Sequence, residues 1–209
     1  MKVVVFDLDG TVLDSMSMWG SLAVELLEGH NIDFPENIFE ILVPMGLFQG
    51  ADYLISLGLP LSKEEIIKHE IEYAREHYKN DINAKAGAIE YMQKLFENGT
   101  QMFAFTAGIS ELFMPCAKRL GITRYITDFY TADMFGMPKS HAEAWKKLAL
   151  KIGEAPENIT VFDDNLENIT AAKQAGMRAI GVYDLSAKHN AEKIKAVADG
   201  YITDFTKIL

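Results

Sequence analysis

Two carboxylates one residue apart, Asp7 and Asp9, follow the apolar run Val3-Val4-Val5-Phe6 and precede Gly10 and Thr11. A short β-branched run ended by glycine reads as a buried parallel strand over Val3 to Leu8. The acids then stand at its carboxyl end, the edge where open α/β sheets bind ligands. Alternation along the strand sends both carboxylates to one side, and Gly10 lets the backbone turn sharply beside a ligand. Carboxylates this close repel each other unless a cation or a shared proton compensates them. A second acid pair, Asp163-Asp164, ends another short apolar stretch and is followed by Asn165. Asp-rich turns after strands are common, but two of them in one parallel sheet would converge on one point. A hard divalent cation seeking oxygen ligands is the natural compensation, and Mg²⁺ takes one or two carboxylates while keeping several waters.

Two weaker signals join these. Thr106 ends the strand-like Met102 to Thr106 and is followed by Ala107-Gly108 and a helix start. A hydroxyl with exposed backbone N–H groups suits a phosphate, although threonine before a helix is often only a cap. Lys139 lies just before a helix, in Met137-Pro138-Lys139-Ser140. A lone lysine is usually a solvated charge, so this one matters only in company with the acids.

The elements that must position these groups are strands alternating with helices of ten to fifteen residues, which implies βαβ units and a parallel sheet. After Ala84 the expected order is a helix over Ala88 to Asn98, the strand ending at Thr106, a helix over Ser110 to Leu120 and a strand over Tyr125 to Thr131. A helix over His141 to Ile152, a strand over Ile159 to Phe162, a helix over Leu166 to Ala175 and a strand over Arg178 to Val182 follow. A helix over Ala187 to Val197 and an edge strand at Tyr201-Ile202 close the chain. Between Ser15 and Asn80 the pattern is helical only. The four expected segments run from Met16 to Gly29, from Pro35 to before Pro44, from Leu47 to Leu57 and from a capping box at Ser62-Lys63-Glu64-Glu65. The expected fold is therefore a doubly wound, Rossmann-like α/β sheet, residues 1–13 plus 84–209, interrupted after its first strand by an all-helical insert, residues 14–83.

The chain has 209 residues, 49% of them hydrophobic and 24% charged, enough to bury a core without metal or disulfide. Its single cysteine, Cys116, excludes an intramolecular disulfide scaffold. No stretch approaches the ~18 apolar residues of a membrane span, and acid follows the N-terminus too soon for a signal peptide. No membrane association and a cytoplasmic setting are expected. The net charge of −10 argues against nucleic acid, whose binding depends on clustered Lys and Arg. No obligate protein partner is evident. The five histidines show no metal-ligand spacing.

Asp7-x-Asp9-Gly10-Thr11, then Thr106, then Lys139, then Asp163-Asp164 resembles the haloacid dehalogenase superfamily in motif order and in extent along the chain. The Phe162-Asp163-Asp164-Asn165 stretch and Ala171-Ala172-Lys173-Gln174-Ala175-Gly176-Met177 are similar to the subgroup holding phosphoglycolate phosphatase and β-phosphoglucomutase, whose helical cap follows the first motif. The resemblance implies a Mg²⁺-dependent phosphatase of a small phosphorylated metabolite. Asp7 would be the nucleophile that forms an aspartyl-phosphate, and Asp9 the general acid and base. Thr106 and the N–H of Ala107 would hold phosphoryl oxygens, and Lys139 would neutralise charge. Asp7, the Asp9 carbonyl and Asp164 would ligate the metal, with Asp163 a lesser contributor.

Asp9 favours a phosphoester over a halide, because only an alkoxide leaving group needs a proton. A phosphosugar mutase is the alternative outcome of the same site, since the mutase-like subgroup also carries an acid at the position of Asp163. An idle regulatory relative is disfavoured by the full set of acids. Asn168 stands where many members have Asp. The insert is expected to close over the site and to choose the leaving group, with Met16, Trp19, Met45, Gly46 and Gln49 as candidate contacts. Few basic groups lie near Pro44-Met45-Gly46-Leu47-Phe48-Gln49, which points to a sugar or nucleoside monophosphate ahead of phosphoglycolate.

Overall fold

A computed structural model describes residues 2–42 and 45–209. Pro44, expected in a turn of the insert, lies outside the described residues. The chain separates into two compact units, Met1–Asp14 with Asn83–Leu209, and Ser15–Ile82.

Strand β1 (Val3–Phe6) is followed by the helical unit, with α1 (Met16–Gly29), α2 (Ile38–Leu42), α3 (Gly46–Ser56) and α4 (Lys63–Asn80). These helices close on a core of Ala23, Leu27, Ile38, Ala51, Leu54, Leu59 and Ile66. The expected capping box is present: Ser62 Oγ accepts from the Glu65 N–H at 3.2 Å, and the Ser62 N–H donates to Glu65 Oε2 at 2.8 Å. Helix α2 begins three residues later than expected, because Pro35 to Asn37 form a turn in which the Pro35 carbonyl accepts from the Ile38 N–H.

The chain returns to build the α/β unit through α5 (Ala88–Glu97), β2 (Gln101–Thr106), α6 (Ser110–Arg119), β3 (Asp128–Thr131) and α7 (Ala142–Ile152). It ends with β4 (Ile159–Asp163), α8 (Leu166–Gln174), β5 (Arg178–Val182), α9 (Ala191–Val197) and β6 (Gly200–Ile202). All neighbours pair in parallel in the order β3-β2-β1-β4-β5-β6. That order reverses direction between β1 and β4, the switch point where such sheets leave a crevice. Strand β3 is shorter than expected, since Ile122–Arg124 make a 3₁₀ turn after Gly121, and a similar turn at Lys188–Asn190 shortens α9.

Every residue of β1 is buried, as a central strand covered on both faces requires. Alternation divides them: Val3 and Val5 join Phe103, Phe105, Trp145, Leu148 and Val161 in one core. On the other face Phe6 stacks on Phe162 at 5.2 Å, and Tyr91 and Phe205 pack around the pair. The two chain segments that lead out of and back into the α/β unit are tied together. Leu13 bridges Ala84 antiparallel, the Asp14 N–H donates to the Asn83 carbonyl, and the Lys85 N–H donates to the Val12 carbonyl.

Candidate active site

The register of the sheet places the acids. Phe6 lies level with Phe162, and the Asp7 N–H continues the ladder by donating to the Phe162 carbonyl at 2.9 Å. Asp7 at the end of β1 and Asp163-Asp164 at the end of β4 are therefore neighbours across the switch point. After Asp7 the chain folds tightly: the Leu8 carbonyl accepts from the N–H groups of Thr11, Val12 and Leu13, and Gly10 takes φ +82°, a left-handed conformation glycine adopts without strain.

Asp7, Asp163 and Asp164 are all buried and offer carboxylate oxygens within 4.8 Å of one another. Lys139 reaches into this cluster although it lies 132 residues from Asp7. Its Nζ donates to Asp7 Oδ1 at 2.5 Å and to Asp163 Oδ2 at 2.8 Å, and the residue is 2% exposed. The buried Trp145 indole N–H donates to the Lys139 carbonyl at 2.7 Å, which fixes the turn that carries the lysine. The ammonium also lies 5.5 Å from the Phe105 ring centroid and 5.6 Å from that of Trp145. Lys139 is thus the buried counter-ion of the cluster.

Asp163 is fully occupied by hydrogen bonds. Beside Lys139, it accepts from the Asn165 N–H at 2.9 Å and from Asn168 Nδ2 at 3.1 Å. Asn165 caps α8 by accepting from the Asn168 N–H at 3.1 Å. Asn168 here supplies a donor where a carboxylate would repel Asp163. Asp164 accepts from the buried Thr11 hydroxyl at 3.2 Å.

One lysine does not balance three buried carboxylates, and the proton affinities of Asp7 and Asp164 record it. Burial, only partly offset by Lys139 and reinforced by Asp163, pushes Asp7 up to about 7. Burial, then Asp7, Asp163 and Asp184, push Asp164 well above the ordinary carboxylate range. Burial by itself would lower the Lys139 ammonium, but Asp163 and Asp7 more than reverse that and hold it above the ordinary lysine range. A buried pocket of oxygen ligands with excess negative charge fits a hard divalent cation.

Thr106 ends β2, next to β1, and its Oγ1 accepts from the Gly108 N–H at 2.9 Å, so its own proton is left to donate elsewhere. Gly108 marks a close approach: a Cβ there would stand 2.9 Å from Asp9 Oδ2 and 3.1 Å from Thr106 Oγ1. The structure thus gathers Asp9, Thr106 and the Ala107-Gly108 turn at one point, and Asp7, Lys139, Asp163 and Asp164 at another on the same sheet edge.

In the helical unit, Trp19 packs edge-on against Tyr78 at 6.3 Å. Gly46 opens α3 with φ +67°, next to Met45, and Gln49 is exposed. Thr11 and Asn165 belong to the sequence motifs without a role of their own there, and Trp145 lies outside them. Only Asn165 carried a local signal, as an Asx cap before a helix; the other two act on residues distant in sequence or through the main chain.

The profile of the family described as "Haloacid dehalogenase-like hydrolase" matches residues 4–182. The chain is 24% identical over 208 residues to validoxylamine A 7'-phosphate phosphatase of Streptomyces hygroscopicus, covering 99% of this chain and 95% of that protein. It is 25% identical over 186 residues to phosphoglycolate phosphatase of Agrobacterium fabrum, covering 85% and 78% respectively. In fold it is similar to the crystal structure of β-phosphoglucomutase from Clostridium difficile, with a TM-score of 0.76, 18% identity and coverage of 100% and 93%.

Proposed function

The chain belongs to the haloacid dehalogenase-like hydrolases, and on that footing we propose that it is a Mg²⁺-dependent phosphatase of small phosphorylated metabolites. The observation that carries the reading is the buried triad of Asp7, Asp163 and Asp164 served by the single ammonium of Lys139. Asp7 and Asp164 would hold the cation together with the Asp9 carbonyl. Asp163, committed to Lys139, Asn165 and Asn168, takes a smaller share. When bound, the cation would neutralise the phosphoryl oxygens and orient the group for in-line transfer.

The residues of the chain then divide the work. The Asp7 carboxylate attacks phosphorus and the ester P–O bond breaks, leaving an aspartyl-phosphate. Asp9 gives its proton to the departing alkoxide. It next takes a proton from water, which attacks the same phosphorus, releases inorganic phosphate and restores Asp7. The Thr106 hydroxyl, with its acceptor side filled by the Gly108 N–H, donates to a phosphoryl oxygen beside the Ala107 N–H. Lys139 favours the ionised form of Asp7 and partly offsets the larger effect of burial, which leaves the carboxyl at about 7. Its charge also balances the phosphoryl group.

Relatives named for a validoxylamine phosphate and for phosphoglycolate are nearly equally similar. The scarcity of basic residues over positions 44–49 supports a sugar or nucleoside monophosphate as the better substrate. The test is phosphate release from a metabolite panel and from p-nitrophenyl phosphate, with Mg²⁺ and with EDTA. Release that requires Mg²⁺ is expected, with kcat/KM higher for sugar phosphates than for phosphoglycolate. No release from any ester, or release unaffected by EDTA, overturns the reading, and a clear preference for phosphoglycolate overturns the substrate order.

A further inference from the structure

Another lysine is largely buried at the same edge of the sheet. Lys85 Nζ lies 2.7 Å from Asp184 Oδ2 and donates to the Tyr183 carbonyl at 2.6 Å, and the two side chains are 10% and 6% exposed. Asp184 is aimed by its other oxygen, which accepts from the Ser186 N–H at 2.9 Å and the Ser186 hydroxyl at 2.6 Å. Both partners belong to loops that frame Asp164. Asp184 follows β5, which pairs Gly181 with Asp163. The Lys85 N–H donates to the carbonyl of Val12, the residue after Thr11, whose hydroxyl holds Asp164.

Lys85 has an evident structural use. It sits where the chain re-enters the α/β unit, and its ammonium clamps that segment to the loop after β5. An ammonium in this position also repels any divalent cation held by Asp164. We propose that Asp184 is a positioning residue that cancels the Lys85 charge, so that the returning chain is anchored beside the cation site without weakening it. The proposal rests on the cation reading above and extends it to two residues that contribute no ligand.

The test is Mn²⁺ binding to the full chain and its variants, read from the loss of the free-ion electron paramagnetic resonance signal, with circular dichroism as the check on folding. Asp184→Asn is expected to weaken binding about tenfold, because it leaves Lys85 uncompensated at low local dielectric. Lys85→Met is expected to tighten it several-fold, and Lys85→Met/Asp184→Asn to return within about twofold of the parent. A structural role alone would make the double variant at least as weak as Asp184→Asn, and that result overturns the proposal, as does an Asp184→Asn protein that binds like the parent. Should Asp184→Asn fail to fold, Lys85→Met decides alone: tighter binding supports the proposal and equal or weaker binding overturns it. A parent that binds no Mn²⁺ overturns the cation reading itself, and the proposal with it.

Discussion

In the α/β unit, buried acids have named partners. Asp7 and Asp163 share Lys139, Asp184 has Lys85, and Asp164 is held by the Thr11 hydroxyl. In the helical unit, Glu70 on α4 is 8% exposed, and its Oε2 has no hydrogen-bond partner among the described residues. The two solutions differ in what they keep. The first group is gathered around ammonium and hydroxyl donors, yet burial still pushes Asp7 up to about 7 and Asp164 above the ordinary carboxylate range, an excess of acid that a cation can use. Without a partner, burial pushes Glu70 up to about 7, so it is held as a neutral acid over much of the pH range. A buried charge is stabilised only by the geometry around it, and that geometry is concentrated where the chemistry is proposed.

The comparison is broken most severely at Asp7. Asp7→Asn keeps the shape and removes the nucleophile, so phosphate release should fall at least about 10³-fold with the fold intact, as nucleophile removal does in other hydrolases. An unchanged rate in the purified variant would assign the activity to a contaminant. Lys139→Met is next. It strands Asp7 and Asp163 without their cation, and breaking a buried pair in this way costs about 3–5 kcal/mol. Chemical denaturation of the metal-free protein should read that loss, and added Mg²⁺ should recover part of it.

Glu70 sharpens the contrast from the other side. The folded protein keeps its proton up to about pH 7, whereas an ordinary glutamate loses it near 4.5. The folded state therefore binds the extra proton, and stability drains away as pH rises from 4.5 to 7. Glu70→Gln removes that slope. It should be close to neutral at pH 4.5 and stabilising by about 1–3 kcal/mol at pH 8, the upper figure being reduced by residual solvent contact. Urea unfolding of parent and variant at both pH values measures it, and a difference that does not change with pH would contradict the assignment. The smallest effect belongs to the surface of the same unit. Ser62→Ala deletes the capping box of α4 and should cost about 1 kcal/mol, visible as a lower urea midpoint with no change in slope.

The sheet was legible because its strands are short apolar runs ended by chemistry: acid after Phe6, hydroxyl after Phe105, acid after Phe162. The four helices of the insert were also legible, α1 to the residue, since apolar spacing and the Ser62 box are local signals. Element ends failed where one turn of 3₁₀ helix or a proline-led turn intervened, at 35–37, 122–124 and 188–190. The main acids of the site could be read because each stands at a strand end. The Lys85–Asp184 pair could not, since 99 residues separate its members and neither lies in a recognisable pattern. Glu70 was hidden for a related reason: it sits among charged residues on α4, and only packing distinguishes a buried glutamate from the exposed ones beside it.

The position of β1 has a consequence for the order of events during synthesis. Val3 is aligned with Gln101 on one side and with Ile159 on the other. Strand β1 is thus a central strand, and neither flank can be covered until about 100 further residues have been made, some 5–20 s at ordinary elongation rates. During that interval the stretch Ser15–Ile82, whose contacts are drawn from its own contiguous sequence, is complete and able to condense. The nascent chain then carries an unpaired β-branched segment, Val3-Val4-Val5, next to a finished helical body. A segment of that kind is prone to pair with the wrong neighbour, and conditions that stall translation between residues 82 and 101 should favour aggregation over productive folding.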